Sequence, residues 1–323
     1  MQAFKVDLPN GSTLSGHNYV PNTSSPVYTA LDDSRRPLLV AIHGGTYSSI
    51  YFDADEKHSA VLCSEGVGVP VVAIDRPFYK ETSPFTIPEG KTYHEELAVQ
   101  LHNHILPALW EKFGRGCGSM VLHCHSLATP SAVILSGWLA QERAQGKSPA
   151  YPLCGLTLSG FGGNQYHPNY VPQSRQAPPD PVPEWNDWPL DVKDELMIVK
   201  GTVDPAIYRQ TRRLHNITPR REVGDYELIW NDGKWRAHCG AVELPVMIGI
   251  AEKDALWLGS EEHVKEFASG FSKSERVDAS LVKGAPHCIE LSYWAQGWYA
   301  RYFGWALECA TAYAVREAAA QSA

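Results

Sequence analysis

The sequence predicts an α/β protein with a mostly parallel sheet of eight strands, helices on its faces and a helical lid inserted between two strands. Three observations favour this fold. Near-continuous apolar runs recur along the 323 residues, as parallel strands require when both faces are covered. Amphipathic segments with helical spacing follow several of these runs. The segments with unusual polar or glycine residues come directly after them, at the sheet edge where sites form.

The N-terminal part of the chain predicts one edge of the sheet and a first buried strand. Antiparallel edge strands are indicated by strand-like pieces between turn signals, at residues 4–8, 17–20 and 26–31. The apolar run at residues 37–42 predicts a buried parallel strand, which ends in the sequence HGGT. Glycines at this place let backbone N–H groups approach a bound oxygen, so Gly45 and Thr46 are candidate oxyanion donors. A simple Gly-Gly turn is the alternative.

A second buried strand and a long helix follow. Residues 71–75 form another apolar run, and a proline-rich loop covers residues 76–88. Thr92 and Glu95 then make a capping box, which is typical of a helix start. After it, apolar side chains recur at every fourth position, at Leu97, Leu101, Ile105 and Leu109. This spacing predicts an amphipathic helix that leads into the next strand.

Residues 119–130, which read SMVLHCHSLATP, are the centre of the predicted site. A short aliphatic strand turns abruptly into a helix here, and Ser126 occupies the turn. A serine in such a turn takes a strained backbone conformation that pushes its hydroxyl out above the strand ends. Cys124 and Ala128 replace the glycines usual on either side. Taken alone, the pattern therefore fits an ordinary helix-start serine better. Whether Ser126 is a nucleophile depends on motifs elsewhere in the chain.

The character of the chain changes after a strand predicted at residues 155–159. Prolines, tryptophans and tyrosines accumulate and only short helical pieces are predicted. We interpret residues 164–243 as a lid that divides the core into residues 1–163 and 244–323. We expect most lid aromatics to pack the lid itself, with others lining a pocket for a hydrophobic molecule. The candidate substrate-binding residues from core and lid are Tyr47, His125, Tyr166, Trp185, Trp188 and Tyr208.

Two later strand ends supply a carboxylate and an imidazole. The run at residues 245–251 leads to Asp254, and a strand predicted at residues 276–282 leads to His287. A serine nucleophile needs an imidazole to take its proton and a buried carboxylate to orient that imidazole. The chain order of Ser126, Asp254 and His287 fits this requirement. Two other carboxylates compete for the role of the acid, Glu252 and Asp204.

These motifs together resemble the α/β-hydrolase superfamily over nearly the whole chain from residue 37 onward. The motifs HGGT, HCHSLA, EKD and GAPH stand at residues 43–46, 123–128, 252–254 and 284–287. The resemblance implies a nucleophile, a general base and an orienting acid at Ser126, His287 and Asp254. It also implies an oxyanion hole made by the N–H of Leu127 with that of Gly45 or Thr46. Epoxide hydrolases and haloalkane dehalogenases are disfavoured, since they carry aspartate at the turn.

The predicted function is cleavage of an ester, thioester or lactone of a hydrophobic small molecule through an acyl-enzyme, without a metal or an organic cofactor. A carbon–carbon bond hydrolase, an acyltransferase or a lyase of the same fold would leave nearly the same sequence pattern. A small-molecule receptor that catalyses no reaction is the alternative of another class, although such proteins normally lack a member of the triad. The lid aromatics and the HGGT variant also loosely resemble hydrolases of fungal secondary metabolism.

A metal site is a further alternative, because His123 and His125 flank Cys124 and His43 could lie near them. Tetrahedral zinc usually takes a second ligand pair at short spacing elsewhere. The remaining candidates are isolated: His238, Cys239 and Cys288. We therefore expect no metal, and we expect Cys124 to be buried and unreactive.

Composition narrows the expected partners and compartment. The formal net charge is −8 and the basic residues are scattered, so we expect neither nucleic acid nor an anionic membrane as partner. The N-terminus has no apolar stretch of the secretory type, and polar residues interrupt the apolar segment 293–315. We therefore expect a cytoplasmic protein whose last helix packs on the sheet. Seven irregularly spaced cysteines predict reduced thiols, and the oligomeric state stays open.

Overall fold

One eight-stranded sheet runs through the residues that the computed structural model describes, 1–163, 165–171 and 184–322. Its strands are β1 (Gln2–Asp7), β2 (Thr13–Tyr19), β3 (Pro37–Ile42), β4 (Val71–Ile74), β5 (Ser119–His125), β6 (Leu153–Ser159), β9 (Val246–Lys253) and β10 (Val277–Pro286), and a separate pair is β7 (Trp185–Asn186) and β8 (Thr218–Pro219). The order in the sheet is β1-β2-β4-β3-β5-β6-β9-β10. Strand β2 runs antiparallel to both of its neighbours, β1 and β4, and all other neighbouring strands of this sheet pair in parallel. The predicted mostly parallel sheet is confirmed.

The apolar runs of the sequence form the central strands because both faces of the sheet are covered. All six residues of β3 are buried. Side chains alternate across a strand, so Leu38 and Val40 enter one hydrophobic core, whereas Leu39 and Ala41 enter the other. Each core therefore depends on the helices that pack on that face.

The helices are α1 (Pro26–Thr29), α2 (Val61–Val67), α3 (Tyr93–Gln100), α4 (Leu106–Phe113), α5 (Thr129–Ala144), α6 (Leu190–Met197), α7 (Pro205–Leu214), α8 (Arg220–Trp230), α9 (Trp235–Cys239), α10 (Glu261–Ser269) and α11 (Ala295–Gln321). Helices α3, α4, α5 and α10 cover one face of the sheet, and α2 and α11 cover the other. A π-helical segment, Leu101–Ile105, joins α3 to α4. The predicted capping box at Thr92 and Glu95 starts α3. No helix in the described ranges is long and apolar enough to cross a bilayer.

The prediction of a strand at residues 26–31 was wrong. This segment forms the short helix α1. Ser25 accepts a hydrogen bond from the N–H of Tyr28 and caps the helix, and Pro26 occupies its first position. Serine as N-cap followed by proline favours a helix start, and this local chemistry outweighs the β-branched content of the segment.

The segment predicted as a lid contributes helices to both sides of the molecule. Helices α8 and α9 pack against α3 and α5, whereas side chains of α6 and α7 join the core that α11 covers. Asn164 and residues 172–183, which belong to the same predicted lid, lie outside the described residues. The boundaries at residues 164 and 243 stay a prediction. Strand β6 precedes this segment in the chain and β9 follows it. The two strands pair, so the parts of the chain before and after the segment form one sheet.

Candidate active site

Ser126 stands in the turn that the sequence predicts. Strand β5 ends at His125, and Ser126 follows with φ at +53°, a left-handed conformation that few non-glycine residues adopt. The HGGT loop approaches this turn closely, which explains why residue 44 of the loop is a glycine. A Cβ atom on Gly44 would lie 2.7 Å from the Ser126 Cβ. The strained turn and the loop beside it therefore fix the direction of the hydroxyl.

The structure brings Ser126, His287 and Asp254 together at the carboxyl ends of β5, β10 and β9. The Oγ atom of Ser126 lies 3.1 Å from Nε2 of His287. The Nδ1 atom of the same ring lies 2.8 Å from Oδ2 of Asp254. All three side chains are buried, and the other carboxylate oxygen of Asp254 accepts N–H groups from Leu256 and Trp257. Asp254 is thereby held in an orientation that fixes the imidazole.

The two competing carboxylates have other partners. Glu252 is exposed, and its Oε2 accepts the N–H of Gly284 at 2.8 Å. Asp204 caps α7 through the N–H of Ala206 and pairs with Lys57 on the surface. Neither carboxylate contacts His287, so the geometry favours Asp254 among the three.

The candidate oxyanion donors differ in their surroundings. Gly45 and Leu127 both line the cavity above Ser126. Thr46 does not line it, and its N–H donates to Oγ1 of Thr218 at 2.9 Å. Of the two alternatives left open by the sequence, Gly45 has the better position. The hydrogen bond from the Thr46 N–H could not be predicted from the sequence, because its acceptor lies 172 positions later.

A narrow apolar cavity opens directly above Ser126 and encloses about 500 Å³ of unfilled space, mouth included. None of the described residues that line it is charged. The lining is Gly45, Ser126, Leu127, Phe161, Tyr170, Trp188, Met197, Thr218, Val223, Tyr226, Leu256 and Trp257.

Of the six predicted substrate-binding residues, only Trp188 lines this cavity. The other five do not line it, and their role in substrate binding stays a prediction. Tyr47 is buried against Tyr51, and Tyr166 stacks on the ring of Trp257. The remaining three are His125, which is buried behind the serine turn, Trp185, which packs edge-on against Phe78, and Tyr208, which is 40% exposed.

Several lining residues were not predicted from the sequence, for two different reasons. Phe161 follows the end of β6, and Leu256 and Trp257 follow the end of β9 shortly after Asp254. The position of these three just beyond strand ends was a usable signal. Met197 and Val223 belong to α6 and α8, whose placement over the serine is decided by tertiary packing.

A buried carboxylate that was not predicted from the sequence lies beneath the site. Glu290 accepts hydrogen bonds from His123 at 2.9 Å, Tyr51 at 2.7 Å, Ser159 at 3.2 Å and Trp298 at 3.0 Å. Burial by itself raises the pKa of Glu290, but the neighbouring imidazoles and these donors lower it to about 2. The group is therefore an ionised carboxylate that ties β5, β6 and α11 together.

His125 takes part in this buried network and does not line the cavity above Ser126. Its Nδ1 lies 3.0 Å from the Oγ of Ser159, and its ring centroid is 5.0 Å from that of His287. Burial lowers the pKa of His125 to about 3, so its ring is neutral at ordinary pH. His125 therefore packs behind the catalytic candidate without adding a charge.

The thiols and imidazoles weighed as metal ligands do not form a cluster. Over the described part of the chain, no group of three or more potential ligands has the arrangement of a metal site. All seven cysteines are free thiols, and burial raises the pKa of Cys124 far above its usual value. A thiolate nucleophile at this position is therefore disfavoured.

Solved structures with the same architecture include several kinds of enzyme. A candidate lipase from Acinetobacter baumannii AYE superposes with a TM-score of 0.64 at 14% identity, over 96% of this chain and 92% of its own. A thermophilic esterase from Thermogutta terrifontis gives 0.57 at 15% identity, over 94% and 98%. A haloalkane dehalogenase variant from Bradyrhizobium elkanii gives 0.58 at 16% identity, over 96% and 99%. The chain has the α/β-hydrolase fold.

The α/β-hydrolase fold is shown by structure and not by sequence similarity. No family model matches the chain, and no curated protein matches it. The similar structures include enzymes that differ in chemistry, as the esterase and the dehalogenase illustrate. Because one fold serves many reactions, the reaction has to be argued from the site itself.

Proposed function

We propose that this chain is a serine hydrolase that cleaves an ester, thioester or lactone of a small uncharged molecule through an acyl-enzyme. One observation carries the proposal. The hydroxyl of Ser126 lies 3.1 Å from the imidazole of His287, whose other nitrogen lies 2.8 Å from the buried Asp254, at the floor of an apolar cavity. This is the geometry that activates a serine toward an acyl carbon.

The reaction begins when Ser126 attacks the carbonyl carbon and Nε2 of His287 takes the hydroxyl proton. Asp254 holds the Nδ1–H tautomer and stabilises the imidazolium without taking a proton itself. The N–H groups of Gly45 and Leu127 receive the negative oxygen of the tetrahedral intermediate, and loss of one such donor costs about 10²–10³ in rate. His287 then protonates the leaving alcohol or thiol. His287 then deprotonates a water molecule, which attacks the acyl carbon. The bond from that carbon to Ser126 Oγ breaks, the acid leaves, and His287 returns the proton to the serine oxygen.

The substrate class follows from the lining of the cavity. Aromatic and aliphatic side chains surround the serine, and no charged group stands among the described lining residues. A charged acyl group would lose its hydration here without gaining a partner, which is costly. We therefore propose a compact, neutral, hydrophobic acyl group. From the sequence we also expect a role in secondary metabolism and a cytoplasmic location.

Covalent labelling tests the nucleophile. A fluorophosphonate probe is expected to modify Ser126 in the wild-type protein, and labelling should vanish in Ser126→Ala. The control is Ser136→Ala, a buried serine of α5 whose hydroxyl bonds only to the carbonyl of Ala132. Well-folded wild-type protein that resists the probe would contradict the proposal and favour a receptor.

Isotope incorporation separates hydrolysis from the other reactions of the fold. With a p-nitrophenyl ester in ¹⁸O-labelled water, each molecule of released acid should carry one labelled oxygen from the attacking water. A product without labelled oxygen would indicate acyl transfer to another acceptor or elimination, while leaving the role of Ser126 intact.

A further inference from the structure

His125 packs against the ring of the proposed general base. The ring centroids of His125 and His287 lie 5.0 Å apart, and their planes are inclined at 58°. The backbone of Gly160 approaches both rings closely. A Cβ atom there would lie 2.6 Å from Cε1 of His125 and 3.1 Å from Cε1 of His287. In this tight arrangement, a movement of the His125 ring changes the packing of His287.

The neighbouring strand supplies a hydrogen-bond partner for His125. This residue ends β5 and pairs in register with Ser159, the last residue of β6. Nδ1 of His125 lies 3.0 Å from Oγ of Ser159, and Ser159 donates to Oε1 of Glu290 at 3.2 Å. All three side chains are buried. They therefore form a chain of hydrogen bonds that is shielded from water.

The ionised carboxylate of Glu290 decides which nitrogen of His125 carries the proton. A carboxylate in this state only accepts hydrogen bonds, so the single hydroxyl proton of Ser159 points to it. The oxygen of Ser159 then accepts from His125, which places the imidazole proton on Nδ1. Nε2 is left as an acceptor, and Sγ of Cys288 lies 3.8 Å from it. Burial raises the pKa of Cys288 to about 12, so the thiol keeps the proton that this contact needs.

Tyr51 is a further restraint on the ring of His125. The two rings stack with their centroids 5.0 Å apart and their planes inclined at 17°. The phenol of Tyr51 donates to Oε2 of Glu290 at 2.7 Å. Glu290 therefore holds His125 through the hydroxyl of Ser159 and through the ring of Tyr51. None of these four residues lines the cavity above Ser126, so we expect them to act on the reacting groups and not on substrate affinity.

We infer that Glu290 and Ser159 hold the ring of His125 in one tautomer and one orientation. Held in this way, the ring positions His287 for proton transfer from Ser126. The inference rests on the proposed serine-hydrolase function. Glu290, Ser159 and His125 are positioning residues, since they touch neither the cavity nor the transferred proton. Without the hydroxyl of Ser159, the buried Nδ1–H of His125 loses its acceptor, which is costly, and the ring turns toward another partner. The packing around His287 then loosens.

The test uses matched substitutions on β6. Ser159→Ala removes the acceptor of His125, and Thr157→Val is the control. Thr157 is a buried residue of the same strand whose Oγ1 lies 2.7 Å from Nδ1 of His123. His123 belongs to the same buried network, and its ring packs on three aromatic side chains, Phe52, Trp298 and Tyr302. Both substitutions therefore disturb the network, but only Ser159→Ala acts on the ring that contacts His287.

The first readouts are kcat and KM for a p-nitrophenyl ester. Ser159→Ala should lower kcat about 10- to 100-fold with little change in KM, because a misplaced base acts on the chemical step. Ser159→Cys keeps nearly the same volume with a weaker hydrogen-bonding group, so it should give a smaller loss of the same kind. Thr157→Val should leave both constants unchanged. Equal losses of kcat in Ser159→Ala and Thr157→Val would overturn the positioning role.

Proton nuclear magnetic resonance gives a readout independent of catalysis. The proton between Nδ1 of His287 and Asp254 should give a low-field signal, which is assigned by its loss in His287→Gln. Its exchange with water should accelerate in Ser159→Ala and stay at the wild-type rate in Thr157→Val. Unchanged exchange in Ser159→Ala would overturn the inference, as would faster exchange with unchanged kcat. If the wild-type protein cleaves no ester and takes no fluorophosphonate, the proposed function fails, and this exchange rate still decides whether Ser159 positions His287.

Discussion

Asp254 Oδ2 lies 2.8 Å from His287 Nδ1, and this contact orients the imidazole toward Ser126. An asparagine at position 254 would offer its amide group to the ring and favour the wrong tautomer. We therefore expect Asp254→Asn to lower kcat by about 10⁴-fold while the protein stays folded. Steady-state kinetics and circular dichroism measure the two effects.

The control for this prediction is Glu252→Gln, which changes a carboxylate two positions earlier. Glu252 is exposed and bonds to the N–H of Gly284, so kcat should stay within about twofold of the wild-type value. A large loss in Glu252→Gln with a small one in Asp254→Asn would exchange the roles of the two acids.

Gly44 has no room for a side chain beside the serine turn. A Cβ atom there would meet the Ser126 Cβ at 2.7 Å, and backbone would have to move to relieve the contact. Gly44→Ala should therefore lower kcat by at least about tenfold through a misplaced nucleophile. Fluorophosphonate labelling should slow in proportion.

Gly297→Ala is the matched control for the glycine substitution. It lies in α11, and a Cβ atom there meets nothing within 4 Å. Alanine is the better helix residue, so the variant should keep full activity and gain about 0.5–1 kcal/mol in its free energy of unfolding. Normal labelling kinetics in Gly44→Ala would refute the packing explanation.

Local patterns predicted most of the sheet and the three residues that meet at its edge. Buried parallel strands need apolar runs, and a site of this kind needs its polar residues just beyond strand ends, so both leave a trace in the sequence. Ser126, Asp254 and His287 could be selected because each follows such a run and no other late histidine does.

The remainder of the site depends on tertiary contacts that no short pattern encodes. Glu290 stabilises His123 across 167 positions, and Thr218 holds Thr46 across 172. The aromatic content of the segment predicted as a lid indicated a pocket, but which side chains face it is decided by how α6, α7 and α8 pack. Tyr208 is exposed for this reason, whereas Val223 lines the cavity.

Val223 offers a way to change the size of the cavity from one position. Val223→Ala should raise the ratio of kcat/KM for long over short p-nitrophenyl esters by about tenfold, because one methylene in such a pocket is worth roughly 10- to 200-fold. Val223→Phe should shift the ratio in the opposite direction.

Tyr208→Ala is the control for the cavity variants. Its side chain is exposed and donates only to the carbonyl of Ile198, so chain-length preference should not change. A shift in Tyr208→Ala, with none in Val223→Ala, would place the acyl group outside the cavity and restore the original expectation for this tyrosine.

The buried His94 should make the free energy of unfolding depend on pH. Burial lowers the pKa of His94 to about 3, whereas an unfolded histidine titrates near 6.5. Between these values the unfolded chain binds a proton that the folded chain excludes, so the free energy of unfolding falls as the pH falls, by up to about 1.4 kcal/mol per pH unit. His94→Gln should reduce this slope by that amount in urea titrations from pH 6.5 to 4. The control is Ser131→Ala, which alters the contact to Nδ1 of His94 but keeps the imidazole, so it should retain the wild-type slope. Equal slopes in the wild-type protein and both variants would show that His94 is protonated in the folded state.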